Sequence, residues 1–431
     1  SKFAKDHRYA FFPSVSAAWR ISEENFWQPL KGWWNDMKIR GSYGSLGNQV
    51  MDDLGNFPYL ATYGTNSSYN YLINGSKPVI VKAPGLVAPD FTWETVTQMD
   101  FGFDASFLNN RLTGTFDWYR RNTKDMLVAG ATLPATLGAS VPKSNSADMK
   151  TIGWELSLGW NDRLENGFSY WVKGVLSDYQ ATITKYAGND AGFYSQSDDD
   201  GKYYVGQKIG EIWGYHSNGL FQSDDEAATI DQSELYAGKW GAGDVKYEDL
   251  DNDGKITKGE ETIYNPGDKS IIGNKTPRYQ FGITVGFDYK NFDFEMFWQG
   301  TGKRDYMLSG AQFWGFTSQW DVPYTPALDY WTETNTDAYF PRPGWQNGGN
   351  RVTSDRYLQS AAYGRLKNLT VGYTIPKNLT TKWGISRLRL YVTGENLLTI
   401  TPLNDAFDPE TLGGMTYPIN RKVAIGLNLT L

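Results

Sequence analysis

One short stretch of the sequence has the residue types and the spacing of a calcium-binding loop. It runs from Asp249 to Glu260, reads DLDNDGKITKGE, and fits the calcium-loop pattern D-x-[DN]-x-[DN]-G-x5-E at every specified position. Carboxylates at positions 1, 3 and 5 can converge on one cation, glycine at position 6 permits a sharp turn, and a glutamate at position 12 can close the coordination sphere. The predicted ligands are Asp249, Asp251, Asp253, the carbonyl of Lys255, Thr257 (by its side chain or a water) and Glu260.

The flanks of this motif favour strand and loop over helix, so we expect a single calcium loop and not a helix–loop–helix pair. The alternative is an acidic surface turn that binds no metal. Extracellular modules use weak calcium sites of ~10⁻⁴–10⁻³ M. Calcium is therefore predicted as a structural cofactor that stiffens a long loop, without a catalytic role.

Other reactive chemistry finds little support in the sequence. The absence of cysteine excludes disulfides, thiol nucleophiles and thiolate metal sites. The two histidines, His7 and His216, lie far apart, and no nucleophile elbow, P-loop or dinucleotide fingerprint is present. A net charge of −7 without a basic cluster argues against nucleic acid. We therefore expect a protein that is not an enzyme and does not bind nucleic acid.

The elements that must position these loops are strands. From Met99 to Phe107, apolar residues alternate with a second set that contains Asp100 and Asp104. A turn at Asn109-Asn110 follows, and alternation resumes from Leu112. These runs are about nine to eleven residues long, which is the length that a tilted strand needs to cross a bilayer. The same pattern recurs until about eleven strands are counted, near Tyr9–Trp19, Met37–Tyr43, Met99–Phe107, Leu112–Tyr119, Trp154–Trp160, Phe168–Gly174, Tyr279–Phe287, Phe292–Trp298, Arg365–Tyr373, Leu388–Glu395 and Lys422–Leu431.

The composition is consistent with a transmembrane β-barrel. Aromatic residues make up 16% of the chain, yet the mean hydropathy is −0.52 and no stretch of eighteen apolar residues exists. In a barrel, one face of each strand contacts lipid, the other contacts water, and aromatic girdles mark both interfaces. The acids Asp100, Asp104, Asp117 and Glu155 are then expected on the interior face, not as a catalytic pair. A secreted carbohydrate-binding β-protein would have much the same composition and remains the alternative.

Connections between the strands alternate between short and long. Long connections rich in Gly, Asn, Asp and aromatic residues are predicted at 45–92, 124–149, 185–277, 301–358 and 397–421. Brief periplasmic turns and extended extracellular loops produce this alternation in outer-membrane barrels. If the last strand ends in the periplasm, all five long loops are extracellular. An odd, open set of strands has two unpaired edges, which a membrane does not tolerate, so the chain is expected to need the rest of a barrel.

Several segments resemble the SusC/RagA-like, TonB-dependent transporters. They occur in order along the chain: FFPSVSAAWRISEE at 11–24, KIRGSYG at 38–44, NNRLTG at 109–114, NTKDML at 122–127, GDVKY at 243–247, LKNLTVGY at 366–373 and GENLLT at 394–399. The resemblance implies an all-β fold, an antiparallel barrel of 22 strands of which this chain forms the second half. It also implies a plug domain and a TonB-contacting segment upstream of residue 1.

The resemblance further implies a function and partners. The expected function is import of oligosaccharides or peptides across the outer membrane of a Gram-negative bacterium, with a SusD-like surface lipoprotein as a lid and TonB as the energy source. The expected partners are that lipoprotein, the N-terminal half of the barrel with its plug, TonB, outer-membrane lipid and the oligosaccharide or peptide ligand. The alternative function is a secreted, calcium-stabilised glycan-binding or adhesive β-protein.

Aromatic residues in the long loops are candidates for ligand contact. Such rings could stack on sugar faces or pack against a lid protein. Alternatively, they fill the interior of the loops or belong to the outer aromatic girdle. The predicted substrate-binding residues are Trp213, Tyr215, Trp314 and Trp320.

Overall fold

A computed structural model describes residues 2–49, 58–66, 92–130, 141–194, 202–413 and 417–431, with shorter described stretches within 72–88 and at 134, 136 and 138. The strands of this part of the chain are β1 (Ser14–Trp19), β2 (Trp34–Asn48), β3 (Gly64–Asn66), β4 (Ile80–Lys82), β5 (Glu94–Phe107), β6 (Leu112–Ala129), β7 (Lys143–Arg163), β8 (Ser169–Tyr186), β9 (Glu211–Tyr215), β10 (Ser217–Leu220), β11 (Val245–Tyr247), β12 (Lys269–Asn274), β13 (Arg278–Tyr289), β14 (Phe292–Lys303), β15 (Asp305–Met307), β16 (Leu358–Ser360), β17 (Tyr363–Thr374), β18 (Arg387–Ile400) and β19 (Lys422–Thr430).

Helices are short in the described residues. The α-helices are α1 (Asp224–Ala227), α2 (Ala311–Trp314) and α3 (Lys377–Thr380). Short 3₁₀ helices lie at Lys5–His7, Ile21–Glu23, Asn25–Leu30, Thr325–Leu328, Gly348–Arg351 and Thr381–Trp383. None of the helices in the described ranges combines the length and the apolar character that a membrane-spanning helix needs.

Eleven of the strands form one antiparallel sheet, which we call the wall. Its order is β1-β2-β5-β6-β7-β8-β13-β14-β17-β18-β19, so each wall strand pairs with the one that follows it along the chain. The predicted all-β fold with eleven antiparallel strands is therefore confirmed. In the part that the structure describes, β1 and β19 form the two edges of the sheet.

Strand register places apolar residues on one face of the wall. Because side chains alternate across a strand, register partners share a face. One row of partners on neighbouring strands contains Ile39, Phe103, Phe116, Leu156, Leu176 and Phe281. A second row contains Phe287, Phe294, Val371, Val392 and Ile425. No other part of the described chain covers this face to any large extent, since Phe101 is 63% and Ile425 is 84% exposed.

The opposite face of the wall is polar. A row of register partners on that face contains Arg40, Gly102, Asp117, Glu155, Ser177, Gln280 and Thr301. The wall thus has the two unlike faces that the alternation predicted. Such a sheet suits lipid on one side and a watery interior on the other.

Most wall strands are longer than the sequence pattern indicated, whereas β1 covers only Ser14–Trp19 of the strand predicted at Tyr9–Trp19. β7 has 21 residues and β6 and β8 have 18 each, whereas about ten suffice to cross a bilayer. Of the predicted loop 124–149, residues 124–129 and 143–149 lie in β6 and β7, which leaves 130–142 as the connection. The β7 extension carries Lys, Ser, Asn and Asp, and in the β6 extension Lys124 and Asp125 are followed by the consecutive apolar residues Met126, Leu127 and Val128. The alternation that marks a membrane span therefore ends while the strand continues.

One edge of the wall has short turns and the other has long connections. At the short edge, residues 108–111 join β5 to β6, and Leu108, Asn109 and Asn110 have φ angles of 54°, 58° and 63°. Asparagine tolerates this left-handed conformation, which explains why the Asn pair marks the turn. We call this the turn edge and the opposite one the loop edge.

The long connections at the loop edge fold into a separate packed unit, which we call the loop body. It consists of described residues from 187–277, 304–362 and 401–421, and it contains the two-stranded sheets β9–β12, β10–β11 and β15–β16. Its core is one cluster of buried residues: Tyr215, Leu220, Val245, Tyr247, Ile256, Leu308, Phe313, Ala327, Phe340, Tyr357, Ala361, Leu403, Phe407 and Leu412. The loop body is therefore packed like a small soluble domain.

Candidate functional site

The polar face of the wall has an ion-pair cluster. Arg40 on β2 contacts Asp117 on β6 at 2.5–2.7 Å and Asp104 on β5 at 3.3–3.4 Å. Gly102 lies between them in the register, and a Cβ there would collide with the Asp117 carboxylate. Glycine therefore lets the carboxylate approach its neighbour strand. Register also puts Asp100 and Glu155 on this face, as predicted.

A second polar cluster attaches the last long connection to the wall. Arg365 on β17 is 2% exposed and contacts Asp408 at 2.5 Å and Glu410 at 3.1 Å. Lys367, two residues further on the same strand, contacts Glu410 at 3.0 Å. Because a buried guanidinium is costly without partners, these acids hold the segment around residue 408 against the polar face.

Two of the long connections are joined by a buried carboxylate. Asp244 is 1% exposed and accepts hydrogen bonds from the Arg342 guanidinium at 2.6 and 2.9 Å. It also accepts from the side-chain amide of Asn350 at 2.8 Å and from the N–H of Gly241 at 2.9 Å. Since Asp244 belongs to 187–277 and its side-chain partners to 304–362, this contact links two connections that are distant in sequence.

His216 makes a second link between the same connections. Its Nδ1 lies 2.9 Å from Asp355, and its Nε2 lies 2.7 Å from the hydroxyl of Ser270. No sequence pattern indicated these contacts, because the partners of His216 lie 54 and 139 positions away and only the fold brings them together. The order of contacts is that of a Ser-His-Asp triad.

Further geometry favours a structural role for this set. Asp355 also accepts the backbone N–H of Ser217 at 2.9 Å, so it acts as a cap for the chain at 216–217. Ser270 lies within β12, in register with Gly214 of β9, and acyl transfer would need free donors that converge on an oxyanion beside it. We therefore interpret the contacts as a clamp between two connections.

The predicted calcium loop adopts a compact acidic turn. The Asp249 carboxylate accepts the backbone N–H groups of Asn252, Asp253 and Gly254 at 2.7–3.2 Å. Asn252 and Gly254 have φ angles of 61° and 83°, so the chain makes the sharp turn that the glycine indicated. Asp251 accepts the N–H of Asp253 at 3.2 Å.

The acid that completes this cluster differs from the predicted one. Among the described residues, oxygen atoms of Asp249, Asp251 and Asp268 all lie within 4.8 Å of one another, and Glu260 does not belong to the group. Asp268 is fully buried and accepts the N–H groups of Leu250 and Thr257, both at 2.7 Å. Asp253 and Lys255 remain in the turn, where the Asp253 carboxylate accepts the Lys255 N–H at 2.8 Å.

A pair of glycines explains why Asp268 replaces Glu260 in the cluster. Gly259 and Gly267 both have positive φ, and a Cβ on either would collide with the other's backbone nitrogen. This close approach lets residues 260–266 turn out of the loop, so the chain returns at Asp268. Sequence reasoning missed this residue because the pattern fixes an acid at position 12. The glycine pair followed by Asp was the available signal.

The electrostatics of the turn differ between its two leading carboxylates. Loss of solvation raises the pKa of Asp249, but the N–H groups of residues 252–254 together outweigh it and hold this pKa below the ordinary value. Loss of solvation and the negative charge of Asp253 raise the pKa of Asp251. A cation between these oxygens would offset the repulsion, which is what a calcium ion supplies.

The four predicted substrate-contact rings lie in different environments. Tyr215 is 2% exposed and belongs to the core of the loop body. Trp314 packs edge-on against Phe340 and Tyr357, with ring centroids 6.1 and 4.6 Å apart. For these two rings, the interior-filling alternative accounts for the aromatic side chain.

The other two rings differ from each other in exposure. Trp213 is half-buried and stacks on Tyr194 with centroids 4.2 Å apart and an interplanar angle of 9°. Trp320 is 84% exposed. The structure therefore separates the four candidates and leaves Trp320 as the ring with a free surface.

A family model and several known proteins match this chain. The model described as TonB dependent receptor-like, beta-barrel, matches residues 1–397. TonB-dependent receptor P3 of Formosa agariphila is 30% identical over 100% of this chain. TonB-dependent receptor SusC of Bacteroides thetaiotaomicron is 27% identical over the same share. The alignments cover 42% and 41% of these two relatives, so the chain spans about two fifths of their length.

Solved structures have the same fold. The structure of the RagAB peptide transporter superposes with a TM-score of 0.76 at 22% sequence identity, over 99% of this chain and 44% of that chain. The RagAB peptide importer in its open-open state gives a TM-score of 0.77 over 100% of this chain and 44% of that chain. At this identity the likeness concerns the fold of the wall and loop body.

Proposed function

Because the chain belongs to the TonB-dependent receptor-like β-barrel family and is an outer-membrane barrel protein, we propose that it imports oligosaccharides or peptides as part of a SusC-like transporter. The observation that carries the proposal is the wall with its two unlike faces, covered at one edge by a packed loop body. The apolar face suits lipid and the polar face suits a passage for hydrophilic cargo. The outer-membrane location replaces the alternative of a secreted glycan-binding protein.

The proposal includes the rest of a barrel. β1 and β19 are edges of the wall in the described part, and an open sheet edge is unfavourable in lipid because its N–H and C=O groups lack partners. Eleven further strands, contributed by the N-terminal half of a 22-stranded barrel with its plug, would pair with both edges. TonB would act through that half.

A SusD-like surface lipoprotein is the proposed lid. The similarity of the chain to SusC and to the RagAB structures supports this partner by analogy. The loop body supports it physically, because cross-links such as Asp244 to Arg342 hold the connections in one arrangement before a partner arrives. A preorganised surface loses less conformational freedom on docking than free loops would.

We also propose that the acidic turn binds calcium as a structural cofactor. Asp249, Asp251 and Asp268 would supply side-chain oxygens, with further ligands from the carbonyl of Lys255 and from Thr257. Carboxylate and carbonyl oxygens are the ligands that Ca²⁺ prefers. Calcium would tie the turn at 249–254 to the start of β12.

Import is tested by uptake in a bacterium that makes the full-length protein. Deletion of the gene should abolish uptake of labelled oligosaccharides or peptides, and collapse of the proton gradient should stop uptake by the intact strain. Gentle detergent extraction should recover the chain together with the N-terminal half and a lipoprotein. Unchanged uptake after deletion, or recovery of a chain that stays soluble without detergent, would overturn the proposal.

A further inference from the structure

A cavity of about 690 Å³ lies where the wall meets the loop body. Five segments surround it: the loop-edge half of β8, residues 209–210 before β9, the connection between β12 and β13, residues 304–306 at the start of β15, and 410–413. Six lining residues matter here: Tyr179, Lys275, Thr276, Arg304, Tyr306 and Glu410. Tyr179 is on the polar face of the wall, in register with Gly153, so the cavity opens towards the interior side of the sheet. We call it the cationic pocket.

Two cationic side chains, those of Lys275 and Arg304, lie near each other in the lining of this pocket. The Nε of Arg304 donates a hydrogen bond to the carbonyl of Lys275 at 3.1 Å, which fixes the guanidinium beside the Lys275 backbone. The guanidinium carbon lies 6.0 Å from the centre of the Tyr306 ring. Burial and the positive charge of Arg304 lower the pKa of Lys275. The two cations are therefore close enough to affect one another.

The carboxylate that lines the pocket is already engaged by other cations. Glu410 contacts Lys367 at 3.0 Å and Arg365 at 3.1 Å, while Asp408 contacts Arg365 at 2.5 Å. The charged residues among those that line the pocket are Lys275, Arg304 and Glu410, so two cations share the lining with one carboxylate that is already paired elsewhere.

The two terminal guanidinium nitrogens of Arg304 have no hydrogen-bond partner among the described residues. Its side-chain hydrogen bond uses Nε alone, and it forms no ion pair with a described carboxylate. The two terminal nitrogens of a guanidinium match the two oxygens of a carboxylate, and a lysine beside it adds a point charge. Tyr179 and Tyr306 supply flat surfaces next to these donors, on which a sugar ring or an apolar side chain can pack.

We propose that the cationic pocket binds a carboxylate group of the imported oligomer, with Arg304 as the bidentate partner and Lys275 as the supporting charge. This inference rests on the proposed import function and gives its cargo a chemical class, an anionic oligomer. A uronate in an oligosaccharide and an acidic residue in a peptide present the same group. The shared chemistry is the carboxylate, and the two sources are distinguished by experiment.

The test uses the full-length protein in detergent and two matched pairs of probes. The oligosaccharide pair is trigalacturonate and its methyl ester; the peptide pair is a pentapeptide with a central glutamate and the same peptide with glutamine. Isothermal titration should show that, in one of the two series, the carboxylate member binds at least about tenfold more tightly, as expected for a close charged contact. The series that shows this preference identifies the source.

Variants locate the contact. Arg304→Gln should remove most of the preference, and Arg304→Lys should retain part of it because the charge stays while the bidentate geometry is lost. Lys290→Gln, which removes a cation at the turn edge between β13 and β14, should leave the preference unchanged. Raising the salt concentration to about 0.5 M should weaken binding of the carboxylate member alone. Heat-modified gel mobility confirms that each variant is folded.

Three results would overturn the inference: equal binding of both members in both series, no binding of either carboxylate probe, or an undiminished preference in Arg304→Gln. Uptake by cells separates this failure from failure of the proposed function. If the neutral probes are taken up by a process that requires the gene, the proposed import function is supported and the proposed carboxylate site is refuted. If no probe pair distinguishes the deletion strain from the parent, the function itself fails for these cargo classes.

Discussion

The wall and the loop body place their aromatic and aliphatic residues in opposite directions. On the wall, Phe101 and Ile425 are 63% and 84% exposed, while in the loop body Tyr247 and Phe313 are fully buried. The wall directs its apolar side chains outwards because its solvent on that side is hydrocarbon. The loop body meets water and must enclose its apolar side chains, as a soluble domain does. The same chain thus places its apolar side chains against lipid in one region and inside a protein core in the other.

The polar residues show the reverse arrangement. On the wall they form rows along the interior face, where Arg40 contacts two acids from neighbouring strands. In the loop body they lie between connections, where Asp244 is buried against Arg342 and Asn350. The positions of polar residues on the wall therefore follow the two-residue period of the strands, whereas those in the loop body are set by tertiary contacts. Substitutions in the two regions should therefore have different effects on stability.

The largest expected effect on stability comes from removing a large side chain from the core of the loop body. Phe313→Ala removes a buried ring that contacts Phe340 at a centroid distance of 5.1 Å, and such truncations cost about 3–5 kcal/mol. We expect the loop body to open while the wall stays folded. Hydrogen exchange by mass spectrometry should rise in 211–257 and 305–361, with unchanged heat-modified gel mobility.

The control for this substitution is on the wall. Phe101→Ala removes an equally large ring from the exposed face, so it leaves no cavity in a protein core and should not raise exchange in the loop body. Loss of the wall's gel shift in Phe313→Ala would mean that the two regions unfold together, contrary to the comparison.

A somewhat smaller effect is expected from a charge on the apolar face of the wall. Leu369 lies in the middle of β17, between Met296 and Gly394, and arginine at a central lipid-facing position costs about 2–4 kcal/mol. Thr370→Arg, one residue on, points to the polar face opposite Glu295 and should be far milder. Urea titration of the barrel refolded in lipid vesicles measures the free energy of unfolding of Leu369→Arg and of this control. Equal losses would show that the faces are assigned wrongly.

The wall was predictable from sequence because its period is a local property. Alternation from Met99 to Phe107 and the Asn109-Asn110 turn fixed both strands, their shared face and the position of the hairpin. The ends of the strands were harder to predict. β6 and β7 continue past their alternating residues because hydrogen bonding to a neighbouring strand, not the side-chain pattern, sustains them. The loop body could not be predicted, because its contacts join residues such as Asp244 and Arg342, which are 98 positions apart.

The acidic turn was predictable from the sequence only in part. Its first half follows a local pattern, so the motif correctly indicated the turn at Asn252 and Gly254. The closing acid depends on the close approach of Gly259 and Gly267, which no fixed spacing encodes. The same holds for His216, whose partners Ser270 and Asp355 arrive from β12 and from another connection.

Calcium should stabilise the loop body by a moderate amount. At about 5 mM Ca²⁺ and a dissociation constant of ~10⁻⁴–10⁻³ M, linkage predicts about 1–2 kcal/mol. The melting temperature of the loop body, followed by tryptophan fluorescence, should therefore rise with calcium and fall with chelator. Asp268→Asn should abolish this response, and Glu260→Gln should preserve it, because Asp268 lies with Asp249 and Asp251. The reverse result would restore the sequence-based ligand set.

The smallest effect on stability is expected at Trp320, and this makes it the best test of a ligand or lid contact. Trp320 is 84% exposed, so Trp320→Ala should change stability by no more than about 0.5 kcal/mol. Trp314→Ala, in contrast, removes a ring packed on Tyr357 and should cost about 3–5 kcal/mol. A fall in uptake with Trp320→Ala at unchanged melting temperature would therefore report a lost contact with cargo or lid, not a damaged fold. Unchanged uptake would mean that the exposed ring has no such role, and that exposure in the loop body, unlike exposure on the wall, does not by itself indicate a partner.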